Sequence, residues 1–136
     1  MVQFSMRDVH SARIERVKRR RFEYLVRRAL WTLPESIQRL LDNVAIVVED
    51  EPRPDQLEAT EEPNVLFGLY EGRPLTERGS DYNMVLPDVI TIFRRPLEEA
   101  FPDKGELTRQ VQITLIHEIA HHFGIDEDRL DELGWQ

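Results

Sequence analysis

The strongest constraint on the fold is a helical pattern near the C-terminus, from about Glu106 to Phe123. Leu107, Val111, Thr114, Leu115, Ile119 and His122 trace one broad side, and Ile113, Ile116, Ala120 and Phe123 widen it. A helix apolar nearly all round is expected to be buried, so the rest of the chain reads as its scaffold. Gly124 follows as the stop, at the position where a left-handed residue ends a helix. Inside this apolar helix lie His117, Glu118 and His121. Ionisable groups are seldom buried without a partner, so their presence asks for a chemical reason.

The spacing supplies one. Positions i and i+4 lie on the same face of a helix, so His117 and His121 can direct one ring nitrogen each at a single metal ion. Paired imidazoles suit zinc. Glu118 stands about 100° further round the helix, out of ligating position but within reach of a metal-bound water. Zinc lowers the pKa of that water to about 7, and a carboxylate can take its proton as it attacks a carbonyl. This is the HExxH pattern of zinc hydrolases. His122 points away from the pair and is expected to pack; His10 is assigned no role.

A catalytic zinc site usually has three protein ligands. Beyond Gly124 the eleventh position of the HExxHxxGxxH arrangement is occupied by Glu127, between Asp126 and Asp128. Glu127 is the expected third ligand. Asp126 and Asp128 leave the register open by one residue but better suit the first turn of a final helix, Glu127 to Leu133, capped by Asp126.

Upstream, Phe22, Leu25, Val26, Ala29 and Leu30 define a helix starting near Arg19, and Pro34 opens a second that buries Ile37, Leu40 and Leu41. Val44 to Val48 is expected to be an interior strand because it hardly alternates. Glu49 to Asn64 reads as a loop, Val65 to Tyr70 as a second apolar stretch, and Leu75 to Met84 as polar connection. Val89 to Phe93 is a strand stopped by Arg94-Arg95-Pro96, and Leu97 to Phe101 a helical turn.

The net charge of −8 is uneven. Residues 1–28 hold nine Lys/Arg against Asp8, Glu15 and Glu23, leaving +6 there and −14 on the remainder. Residues 1–18, with a thin stripe of Val9, Ile14 and Val17, read as a basic arm, either disordered or appended to the fold, and residues 19–136 as the folded domain. A basic arm can meet nucleic acid or an anionic surface, but without interleaved aromatics a solvated arm or an exposed helix face is favoured. No run is long and apolar enough to span a membrane. There is no cysteine, which removes disulfides, thiolate metal sites and thiol nucleophiles. The first residues lack the apolar core of a signal peptide, and a cytoplasmic protein is expected.

The HEIAHHFGIDEDRLDELGW segment, with LFGLYEGRPLTERGS and DVITIFRRPLEE before it, resembles the small bacterial zincin-like metallopeptidases, or minimal zincins, over roughly residues 20–136. The resemblance implies an α+β fold in which a small mixed sheet packs against a buried HExxH helix. It implies Zn²⁺ held by His117, His121 and Glu127, with Glu118 as general base and a peptide or protein as substrate. It also implies an extended substrate beside an edge strand, for which Val89 to Phe93 is the candidate. Tyr70, Tyr82 and Arg94 are the candidates for stabilising the oxyanion. Two rivals stand beside the peptidase reading: a zincin fold that binds peptides without turnover, and a nucleic-acid-associated protein using the basic arm.

Overall fold

Three strands and the long C-terminal helix organise the molecule. The computed structural model describes residues 2–58, 66–72 and 87–133. Its elements in order are α1 (Met6–Trp31), α2 (Glu35–Leu40), β1 (Val44–Glu49), α3 (Pro54–Glu58), β2 (Gly68–Glu71), β3 (Asp88–Phe93), α4 (Arg94–Ala100), α5 (Lys104–Phe123) and α6 (Glu127–Glu132). The polar connection expected at Leu75 to Met84, including Tyr82, lies outside the described residues, as do Val65 and the final residues 134–136.

The sheet has the order β1-β3-β2, with β1 parallel and β2 antiparallel to β3. This is the small mixed sheet of an α+β domain. Two strand expectations are corrected by it. Val44–Glu49 is an edge strand, not an interior one: Val47 is exposed and the remaining residues of the strand are only half-buried. Its unbroken β-branched run reflects partial burial of both faces rather than a central place in the sheet. Val89 to Phe93 belongs to the central strand, paired on both sides, and so has no free edge to offer a substrate. The burial of Ile90, Thr91, Ile92 and Phe93 records that position. Among the described residues the second edge is β2.

Helix α5 begins where the sequence provides a cap: the Asp103 carboxylate accepts from the Glu106 N–H at 2.9 Å. It ends at Gly124, whose φ of 65° is the left-handed conformation that favours glycine. Leu107, Val111, Leu115, Ile116 and Ile119 are buried with Phe22, Val26, Ala29, Ile37, Ile90, Ile92 and Leu97 in one core. The burial stops there. His117, His121, His122 and Phe123 are exposed, so the helix is buried along one face and stands clear of the core at its last turns.

The N-terminal segment also departs from expectation. Helix α1 runs unbroken from Met6, well before Arg19, because Ser5 and Asp8 form a capping box: Asp8 N–H donates to Ser5 Oγ and Ser5 N–H to Asp8 Oδ2, both at 3.1 Å. The boundary drawn at residue 18 therefore falls inside a helix. Phe22, Val26 and Ala29 bury one side of it, while Val9, Ile14 and Val17 remain exposed.

At the end of β3 the chain turns directly into α4, and Arg94 is buried there, 2% exposed. Its guanidinium meets Glu15 of α1 at 2.6 Å, Asp50 after β1 at 2.9 Å and Glu98 of α4 at 3.2 Å. Arg19 also binds Asp50, and Arg95 bridges Glu15 and Glu51. Arg94 is thus a structural ion-pair hub, which removes it from the oxyanion candidates. Burial opposes its charge, but the surrounding carboxylates outweigh this and raise its pKa. Hydrogen bonds from Arg19 and then Arg94 pull Asp50 from the ordinary 3.8 down to about 2.

Removing one member of a buried ionic cluster leaves the others uncompensated, at a cost of about 3 kcal/mol or more. Arg94→Met should lower unfolding stability in urea by that order. Because the folded pKa of Asp50 is depressed, its stabilisation is complete above about pH 4 and is lost as pH falls toward 2. Wild-type stability should fall across that window more steeply than that of Arg94→Met. Parallel profiles for the two proteins would contradict the role given to the hub.

Candidate metal and hydrolytic site

The exposed end of α5 carries two i, i+4 pairs on adjacent strips: His117 with His121, and Glu118 with His122. The first pair faces outward. The second grips β2. Glu118 Oε2 accepts a hydrogen bond from the backbone N–H of Tyr70 at 3.2 Å. His122 lies flat on the Tyr70 ring, with centroids 3.8 Å apart and an interplanar angle of 13°. Phe123 meets both rings edge-on. The Tyr70 hydroxyl donates to Asp88 Oδ2 at 2.9 Å, which ties the strand to the start of β3.

The ladder explains why Tyr70 offers its N–H. Phe93 N–H donates to the Phe67 carbonyl at 2.9 Å, and Leu69 and Glu71 stand opposite Thr91 and Val89. Alternate residues of an antiparallel edge turn their polar groups outward, so Gly68 and Tyr70 face away from β3. The outward N–H of Tyr70 is met by Glu118. Gly68 allows this approach: a Cβ there would lie 2.6 Å from Thr114 Cγ2 of α5, closer than packed carbon atoms tolerate.

The acidic residues beyond Gly124 are separated in role. Asp126 caps α6, its Oδ1 accepting from the Arg129 N–H at 2.9 Å, which leaves it poorly suited as a ligand. Glu127 and Asp128 are exposed in the first turn of α6. That helix is moored by Leu130 and Leu133 against the core and by the Ser36 hydroxyl on the Leu133 carbonyl. Among the described residues no three His, Asp or Glu side chains converge as a metal-holding group. The structure therefore sets His117 and His121 side by side on one helix and Glu118 on the sheet edge, and holds Glu127 on the next helix without joining it to the histidines.

Tyr70 and Asp88 are the residues that sequence reasoning placed least well. Tyr70 was one of three oxyanion candidates, whereas here its backbone holds Glu118, its ring holds His122 and its hydroxyl is given to Asp88. The available signal is the i, i+4 spacing of Glu118 and His122, which puts both on one strip of the helix.

Stacking and the hydroxyl contribute separately. Tyr70→Phe keeps the ring and should lose about 1 kcal/mol in urea unfolding. Tyr70→Ala loses the His122 stack as well and should cost at least about 1 kcal/mol more. Equal losses in the two variants would contradict the stack as a source of stability.

The family model described as zincin-like metallopeptidase matches residues 41–135, which span β1 to α6 and contain the whole HExxH segment. No curated protein matches the chain. With well over half of its residues matched to that model, the chain belongs to the zincin-like metallopeptidase family.

Proposed function

We propose that the protein is a zinc-dependent peptidase in which Glu118 is the general base and His117, His121 and Glu127 hold the metal. The observation that carries this reading is the arrangement at the end of α5. Two imidazoles one turn apart are open to solvent, and the intervening carboxylate is fixed at the free edge of a sheet.

The donor chemistry suits zinc: two neutral nitrogens from one helical face, followed by a carboxylate-bearing turn with no thiolate to compete. A bound zinc ion would supply Lewis acidity toward the substrate carbonyl and toward water. The chain's own part is positional and acid–base. The Tyr70 N–H limits the Glu118 carboxylate to one orientation at the sheet edge. From there Glu118 takes a proton from the attacking water and returns it to the departing amine nitrogen. The His122–Tyr70 stack holds the helix end against β2, so that base and ligands move as one unit.

Edge strand β2, rather than β3, is the place for an extended peptide to add by main-chain pairing. Gly68 supplies outward groups there, and with the Tyr70 N–H given to Glu118 a backbone bound at Gly68 lies beside the residue that holds the base. A second reading is favoured by a separate observation, the lack of a converged third donor among the described residues. In that reading the same edge binds peptides without cleaving them.

Metal analysis of the purified protein, run beside cleavage of a peptide library, separates the two. The hydrolase reading expects one zinc per chain. It also expects Glu118→Gln to keep the metal and lose cleavage by about 10²–10⁴-fold, and His117→Ala to lose both. Zinc retained unchanged in Glu127→Ala would overturn that ligand assignment alone. Full cleavage by His117→Ala would overturn the mechanism, and zinc or peptide bound with no cleavage by the wild type would establish the binding reading.

A further inference from the structure

The outward face of α1 has a pattern that the peptidase reading does not use. His10, Val17, Tyr24 and Trp31 recur every seven residues and form one row. Arg13, Arg20 and Arg27 form the row on one side of it, and Ile14, Arg21 and Arg28 the row on the other, each again at sevens. Seven residues are nearly two turns, so each row runs along the helix. Phe22, Val26 and Ala29 occupy the opposite, buried side. Tyr24 is 62% exposed and Trp31 83%. Large aromatics left in solvent between arginines are the interleaving that the sequence reading did not find, because Tyr24 and Trp31 join the arginines on one face only once the helix from Met6 to Trp31 is in place.

The arginines are uncommitted. Among the described residues, Arg13, Arg20, Arg21, Arg27 and Arg28 meet no carboxylate, whereas Arg19, on the inner side, is bound to Asp50. A groove of about 1020 Å³ runs beside the same face, between α1 and the α4–α5 junction. Lys18, Arg21, Arg28 and Lys104 line it together with Tyr24 and Phe101. The carboxylate in its lining, Glu98, is already held by Arg94. In a chain of net charge −8 this is a concentrated cationic track.

We infer that this face and groove bind single-stranded nucleic acid, with Tyr24 and Trp31 as stacking platforms and the flanking arginines and lysines on the phosphates. Tyr24 and Trp31 stand about 10 Å apart along the helix axis, a spacing that two bases with one between them can meet on an extended strand. A cationic groove combined with exposed aromatics is how strands are held without sequence readout, since every base has a π-face. Other occupants fit less well. A membrane-surface helix separates its apolar and charged faces, whereas here they share one face. Pairing with a second α1 as a coiled coil needs apolar residues at both seam positions. Three places after His10, Val17 and Tyr24 stand Arg13, Arg20 and Arg27, and three places before Tyr24 and Trp31 stand Arg21 and Arg28. The inference is independent of the peptidase reading, since no residue of the HExxH segment takes part.

Fluorescence anisotropy of a labelled oligothymidylate of about 20 nucleotides, titrated with the full chain over a salt series, tests it. Binding should weaken steeply as salt rises. Arg21→Glu with Arg28→Glu should reduce affinity more than about tenfold and flatten the salt dependence. Tyr24→Ala with Trp31→Ala should reduce it at least about fivefold while leaving the salt slope in place. All four side chains are exposed, so the variants fold as the parent does. Polyglutamate and phosphatidylserine vesicles serve as competitors and should displace the strand poorly. The inference is overturned by absence of binding at about 50 mM salt, by variants that bind like the parent, or by either competitor binding more tightly than the strand.

Discussion

The hydrogen bond from the Tyr70 backbone to the Glu118 carboxylate, together with the stacking of the Tyr70 ring on His122, is the contact on which the site depends. A carboxylate on an exposed helix end would otherwise sample many rotamers. Here the free edge of a β-strand provides the donor and a neighbouring aromatic provides the rigid surface. The same contact fixes β2, a strand of only four residues whose other side pairs with β3. Sheet edge and helix end stabilise each other, and the open face bearing His117 and His121 is what remains between them and solvent.

This local arrangement is possible because the rest of the chain holds α5 in place. The helix packs its apolar face on α1, α2 and β3, and Gln112 reaches the end of α1 through hydrogen bonds to the Ala29 carbonyl and Thr32. Arg94 links three separate parts of the chain by ion pairs at the opposite end of β3 from Asp88. Position is thereby transmitted from the ionic hub through β3 to the strand edge. The basic face of α1 lies outside this frame, and it lies before the stretch that the family model matches.

Much of the site was legible in the sequence because it depends on local geometry. Helical spacing places His117 with His121 and Gly124 marks the stop, and both follow from neighbours in the chain. The fold class followed from the resemblance. What was not legible depends on pairing between distant segments. A β-branched run such as Val44–Val48 looks the same at an edge as in the interior, so the order β1-β3-β2 could not be read from it. The extension of α1 to Met6 rests on the Ser5–Asp8 box, a signal in the sequence that the surrounding charge obscured. The partners of Arg94 lie on three elements, and no spacing rule finds them. Glu127 is a question of the same kind: its chemistry suits a ligand, but its distance from the histidines is set by how α6 docks.

Zinc K-edge absorption spectroscopy of the zinc-loaded protein tests the central claim most directly, because it counts the imidazoles in the first shell. The account predicts two imidazole nitrogens with oxygen completing four-coordination at about 2.0–2.2 Å, and one imidazole in His121→Ala. A shell made of oxygen alone, or two imidazoles persisting in His121→Ala, would contradict it.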